Sequence, residues 1–117
     1  MAIGEYVTFV DSDDYIENTM IEKLMNSIKD NDLAVCGICQ KELDGSIINL
    51  YGTNKEICYQ KEDIISGFSD CSKIKDYMYG PFNKLYKKNI IGEKRFDEKL
   101  RMGEDFLFVF NYLRTCD

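Results

Sequence analysis

Histidine is absent from this 117-residue chain, tryptophan is absent too, and there is a single proline. Without an imidazole there is no Ser-His or Cys-His nucleophilic system and no histidine-containing metal site. Any chemistry has to rest on Asp, Glu, Lys, Tyr or Cys. Long apolar runs are missing as well: none approaches the roughly 20 residues that a membrane-spanning helix needs. So is an excess of positive charge. The formal net charge is −6, which argues against nucleic-acid binding through a basic surface. An apolar share of 44% and a charged share of 31% exclude a disordered chain. The length leaves room for one domain, residues 1–117. The bias toward Ile, Lys, Asn and Tyr fits an AT-rich bacterial genome.

The five cysteines form no recognisable metal pattern. Cys36-Gly37-Ile38-Cys39 has redox-motif spacing, but a reactive pair of that kind opens a helix. Here it lies inside Leu33–Lys41, which reads as a strand. Cys58, Cys71 and Cys116 add no second closely spaced pair, so a four-thiolate zinc site is not supported. The expectation is reduced, metal-free thiols, with Cys36 and Cys39 on opposite faces of one strand.

What the chain does have is Tyr6-Val7-Thr8-Phe9-Val10 running into Asp11-Ser12-Asp13-Asp14. The run is apolar at odd and even positions, which predicts a strand buried on both faces. Its carboxyl end is then crowded with acids, and ligands of open α/β sheets bind at that edge. Carboxylates this close repel one another unless a positive group shares the site. A hard divalent cation, magnesium or manganese bridging to phosphates, is the natural partner.

Further along, Thr19 and Glu22 have capping-box form, and Met20, Ile21, Leu24, Met25 and Ile28 recur at helical spacing. A helix is expected over 19–29. Asp44-Gly45 predicts a hairpin returning through 46–51. A short helix is expected over 63–68, and a polar, irregular, mobile stretch over 69–79. Gly80-Pro81 precedes a strand at 82–86, followed by one helical turn at 87–91. The last helix should run from Glu104 to about Arg114, largely buried, with Phe106, Phe110 and Leu113 on one face. A first strand apolar on both faces needs neighbours on both sides, so the chain reads as part of a larger sheet.

Several readings of Asp11–Asp14 compete. A calcium loop fails, because its sixth position is Ile16 rather than Gly and a helical pattern starts inside it. A haloacid-dehalogenase-type phosphotransferase would use Asp11 as nucleophile, with Asp13, Lys84 and Glu104-Asp105 in support. Tyr15 stands where that pattern wants a small hydroxyl or β-branched residue. A solvated acidic loop leading into the helix is the plainest alternative, and Glu104-Asp105 could equally be acids favoured by a helix dipole.

Gly4–Ile16, with its DxD segment, resembles bacterial family 2 glycosyltransferases. Asp32-Leu33-Ala34-Val35-Cys36-Gly37 is similar to the next strand of that family. Gly80-Pro81-Phe82-Asn83-Lys84-Leu85-Tyr86-Lys87-Lys88 resembles its N-K-L-Y segment. Arg95-Phe96-Asp97 with Gly103-Glu104-Asp105-Phe106 resembles the G-E-D end. The resemblance implies an α/β fold, a partial GT-A (nucleotide-diphospho-sugar transferase) fold with a mixed β-sheet and flanking helices. It implies that Asp11 and Asp13 hold Mg2+ or Mn2+ and the donor's ribose–diphosphate, and that Asp105 is the catalytic base. Ser12, Asp14, Asn83, Lys84 and Glu104 would contact substrate, Glu104 on the acceptor side.

The implied activity is metal-dependent, inverting transfer from a nucleotide-diphosphate sugar to a glycan or lipid-linked acceptor hydroxyl, as in polysaccharide biosynthesis. The family's first strand and base-binding segment have no counterpart here, so the chain reads as a catalytic-core fragment with slow turnover on its own. An inactive remnant acting as an association module is the other functional reading. A cytoplasmic protein is expected, at the inner face of the membrane through peripheral contact of the full-length protein. No nucleic-acid partner is expected. Self-association is expected, through the first strand or the apolar last helix.

Overall fold

The computed structural model describes residues 2–52, 56–69 and 78–117. The irregular stretch expected over 69–79 falls mostly outside these residues, as does Cys71. The elements in chain order are β1 (Tyr6–Val7), α1 (Met20–Ser27), β2 (Leu33–Val35), β3 (Ile38–Lys41), β4 (Ile47–Tyr51), α2 (Lys61–Ser69), β5 (Lys84–Lys87), α3 (Lys88–Ile91) and α4 (Glu104–Leu113). The class is α/β with helices flanking the sheets. Every described strand pairing is antiparallel. One sheet has the order β1-β5-β2, and β3 and β4 form a separate two-stranded sheet.

β5 is the centre of the fold. Lys84, Leu85 and Tyr86 are all buried, as expected for a strand with a partner on each edge. Val7 pairs with Tyr86 on one side, and Leu33, Ala34 and Val35 pair with Tyr86, Leu85 and Lys84 on the other. One face of the sheet takes α1, whose Leu24 and Ile28 pack on Ala34 and Leu85. The opposite face takes α4, which buries Phe108, Val109, Tyr112 and Leu113 around Tyr86.

Three expectations change at this level. The first strand is an edge strand of two paired residues, half-buried and not enclosed on both faces. Past Val7 the chain leaves the ladder, and Phe9 sets its ring edge-on to Tyr86, Phe96 and Phe108, with centroids 5.7, 5.3 and 5.4 Å away. Edge-to-face pairs of this kind add to ordinary area burial. The apolar run therefore reflects one aromatic anchor and not a strand covered on two sides.

The long strand expected over 33–41 is broken at Cys36-Gly37 into β2 and β3, which belong to different sheets. A Cβ at Gly37 would lie 2.6 Å from the Tyr51 carbonyl oxygen, so only glycine lets the backbones cross there. Cys36 thus lies outside any strand, and the opposite-faces expectation for Cys36 and Cys39 does not apply. Cys36, Cys39, Cys58 and Cys116 are free thiols.

Thr19 precedes α1 but makes no side-chain cap, because its ψ of 1° is far from the extended conformation of a capping residue. α4 also differs in detail. Its sheet-facing residues are Phe108, Val109, Tyr112 and Leu113, whereas Phe106 and Phe110 turn toward α2 and pack against Phe68 and Tyr79. Phe106, Leu107 and Phe110 stay half-buried on that side of the helix.

Candidate active site

Four local features converge on one end of β1. The first is the acidic turn. The Asp14 amide donates to the Asp11 carbonyl at 3.1 Å, closing a turn on which Asp11, Ser12, Asp13 and Asp14 are all exposed. The second is the Phe9 anchor, two residues before Asp11. It ties the turn to Phe108, three residues after Asp105 on α4. The third is Gly103, which enters α4 with φ 86°, a left-handed conformation that glycine adopts without strain. It opens the first turn of α4, which carries Glu104 and Asp105.

The electrostatics register that approach. Burial pushes the Asp105 carboxyl above the usual carboxylate range, and the charges of Glu104 and Asp11 push it further the same way. Asp11 and Asp105, distant in sequence, therefore lie within each other's field. Two oxygens in this region are buried without a hydrogen-bond partner among the described residues: Glu104 Oε2 and Thr8 Oγ1. An unsatisfied buried acceptor is costly, about 1–3 kcal/mol, which makes Glu104 a carboxylate ready for a donor.

The fourth feature is the turn at 80–84, which carries Asn83 and Lys84. Lys84 is fully buried, and its ammonium donates to the Gly80 carbonyl at 2.6 Å and to Asn83 Oδ1 at 2.9 Å. Burial lowers its pKa to about 7, against a raising effect from Cys36. Asn83 is buried with φ 57°, and its side-chain amide donates to the Cys36 carbonyl at 2.6 Å. The Tyr86 hydroxyl donates to the Pro81 carbonyl at 3.0 Å. This segment braces β5 and the β2–β3 break, with Asn83 and Lys84 buried in it. Behind it, the Tyr112 hydroxyl donates to the Asp32 carbonyl at 2.6 Å and accepts from the Lys87 amide at 2.9 Å, locking α4 to the sheet.

The donor set suits a hard cation whose shell is completed by a phosphate ligand. Asp11 and Asp13 supply exposed carboxylate oxygens that make no ion pair among the described residues. No group of three or more His, Cys, Asp or Glu side chains is arranged to hold a metal alone among those residues. Magnesium keeps one or two carboxylates, substrate phosphates and waters in such sites, so the residues present fit it.

Residues 1–96 match the family model described as glycosyl transferase family 2. The chain belongs to this family. The phosphotransferase alternative falls with that match. Family 2 members commonly use divalent metals. The chain is 30% identical over 115 residues to the GalNAc(5)-diNAcBac-PP-undecaprenol beta-1,3-glucosyltransferase of Campylobacter jejuni, covering 95% of this chain and 34% of that protein. It is 28% identical over 121 residues to glycosyltransferase GlyG of Streptococcus pneumoniae, covering 93% of this chain and 40% of that one. It is 30% identical over 110 residues to the putative glycosyltransferase EpsH of Bacillus subtilis, covering 86% of this chain and 28% of that one. The chain thus spans 28% to 40% of the length of these three relatives. No solved structure gives a significant match. The family match ends before Glu104 and Asp105. No helix among the described residues is long and apolar enough to cross a membrane.

Proposed function

We propose that this chain carries the diphosphate-binding and base-bearing part of a metal-dependent, inverting glycosyltransferase. The observation that carries the reading is the family match over residues 1–96, which includes the acidic turn, with Asp105 within the field of Asp11. A base must sit near the working pH to accept a proton well, and burial plus two neighbouring acids move Asp105 in that direction.

In this reading Asp11 and Asp13 would hold Mg2+ or Mn2+ at the donor diphosphate, with Ser12 and Asp14 contributing hydrogen bonds to the donor's hydroxyls. A divalent ion held there would neutralise charge on the departing nucleoside diphosphate. Asp105 takes the proton of the acceptor hydroxyl as its oxygen bonds to the anomeric carbon. The bond from that carbon to the diphosphate breaks on the opposite face, so the configuration inverts. Glu104 Oε2 accepts a hydrogen bond from the acceptor and orients it. The donor is a nucleotide-diphosphate sugar and the acceptor a glycan or lipid-linked hydroxyl, in a cytoplasmic protein that works against the membrane face. The open edge of β1 is the place where a second copy would pair.

Calorimetric titration of uridine diphosphate with Mn2+ tests the reading. Binding should require the metal and weaken at least tenfold in Asp13→Asn, while Asp105→Asn keeps it. Equal, metal-independent binding in wild type and Asp13→Asn would remove the reading.

A further inference from the structure

Tyr15 is the most exposed aromatic side chain among the described residues, at 74% of its full accessibility. It follows Asp14 directly, at the rim of the acidic turn. A large ring in water is ordinarily idle, but this one is held. Lys41, on the far side of the β2–β3 break, places its ammonium 5.7 Å from the centre of the Tyr15 ring. The two side chains also interact polarly: the Tyr15 side chain is the leading cause that raises the Lys41 pKa. A cation attracted to one face of an aromatic ring biases the ring's orientation and leaves its other face open.

The surroundings have the chemistry of a sugar site. A pyranose has a face of C–H groups and a rim of hydroxyls. The C–H face packs on an aromatic ring, and the hydroxyls need acceptors beside it. Asp13 and Asp14 precede Tyr15 and Glu17 follows it, all exposed. The cross-strand neighbours of Lys41 and Cys39 are Ile47 and Leu50, exposed apolar side chains of the same hairpin. Ring, cation and carboxylates are thus brought together by two segments, the acidic turn and the β3–β4 hairpin.

We propose that Tyr15, oriented by Lys41, is a stacking platform for a hexose ring beside the acidic turn, and that it positions the sugar for the reaction at Asp105. The proposal rests on the glycosyl-transfer reading and adds a residue to it. The sugar is either that of the donor or the terminal unit of the acceptor, because both present the same C–H face.

Saturation-transfer NMR on the whole chain decides it, with uridine diphosphate glucose plus Mg2+ as the donor probe and methyl β-glucoside as the acceptor probe. Expected is transfer from aromatic protein protons to the sugar's C–H face for at least one probe. It should fall at least fivefold in Tyr15→Ala, persist in Tyr15→Phe and weaken in Lys41→Met. Transfer to the donor probe alone assigns the platform to the donor sugar; transfer to the glucoside assigns it to the acceptor. Tyr15 and Lys41 are exposed, so folding should survive both changes, as unchanged amide spectra elsewhere would show. Equal transfer in wild type and Tyr15→Ala overturns the proposal, as does absence of transfer to both probes. If uridine diphosphate with Mn2+ still binds in that case, the platform alone is wrong; if it does not, the functional reading has failed as well.

Discussion

The three-stranded sheet and the β3–β4 hairpin are built from similar residues and behave oppositely. In the sheet, β5 buries Lys84, Leu85 and Tyr86 in succession, and an aromatic cluster of Phe9, Tyr86, Phe96 and Phe108 fills the space under α4. In the hairpin, Ile47, Ile48 and Leu50 are exposed, Leu50 at 72%. The sheet's apolar residues therefore carry position. They fix where Asp11 and Asp105 stand relative to each other. The hairpin's apolar residues hold no core, and its order comes from backbone pairing and from the turn at Asp44-Gly45. Packing is concentrated in the sheet under α4, and the hairpin presents its apolar residues to solvent.

The largest effect that would sharpen this contrast comes from Phe108→Ala. It removes a ring in contact with Phe9, Tyr86 and Phe96, and should cost about 3–5 kcal/mol in urea denaturation. Leu50→Ala should stay within about 0.5 kcal/mol of wild type. Similar losses in the two variants would break the comparison.

A second effect is pH dependence from Lys84. Its folded pKa, about 7, lies below the ordinary lysine value of 10.5 because burial disfavours the charged form. A depressed folded pKa means that the stability contribution is complete above 10.5 and is lost as pH falls through about 7. Lys84→Met should flatten the profile between those limits, read as thermal midpoints across a buffer series. A wild-type profile already flat there would show that the buried ammonium is fully compensated.

The smallest effect concerns the hairpin itself. Gly45 has φ 87°, and no atom lies within 4 Å of the place a Cβ would take, so alanine meets strain but no clash. Gly45→Ala should cost on the order of 1 kcal/mol. Faster amide exchange should appear in β3 and β4 only. Spread of that change into β5 would mean that the hairpin and the sheet form one cooperative unit.

Much of the local structure is legible in the sequence. Asp44-Gly45 marks its hairpin, where Asp44 Oδ1 accepts from the Ser46 amide at 2.8 Å. The N-K-L-Y strand and the last helix lie close to their expected bounds. The acidic turn also follows the first strand, as the switch from apolar to acidic residues implies. What cannot be read depends on contacts between distant segments. Nothing in Leu33–Lys41 signals that Gly37 must meet the Tyr51 carbonyl, so the break is invisible there. A lysine in a family motif suggests a phosphate ligand, and only the fold shows carbonyls of Gly80 and Phe82 gathered around it. Tyr15 stands out in the sequence only as a departure from another family's pattern; its pairing with Lys41 exists only once the hairpin folds back.

The central claim is that the aromatic cluster brings Asp11 and Asp105 to one cleft that takes a divalent cation. Paramagnetic broadening of amide signals by Mn2+ in the presence of uridine diphosphate measures this directly. Broadening should centre on residues 11–14 and reach 103–106, while β3 and β4 beyond Lys41 and the end of α4 stay sharp. Asp13→Asn should abolish it. Broadening at the acidic turn without any at Glu104 and Asp105, or broadening unaffected by Asp13→Asn, would contradict the account.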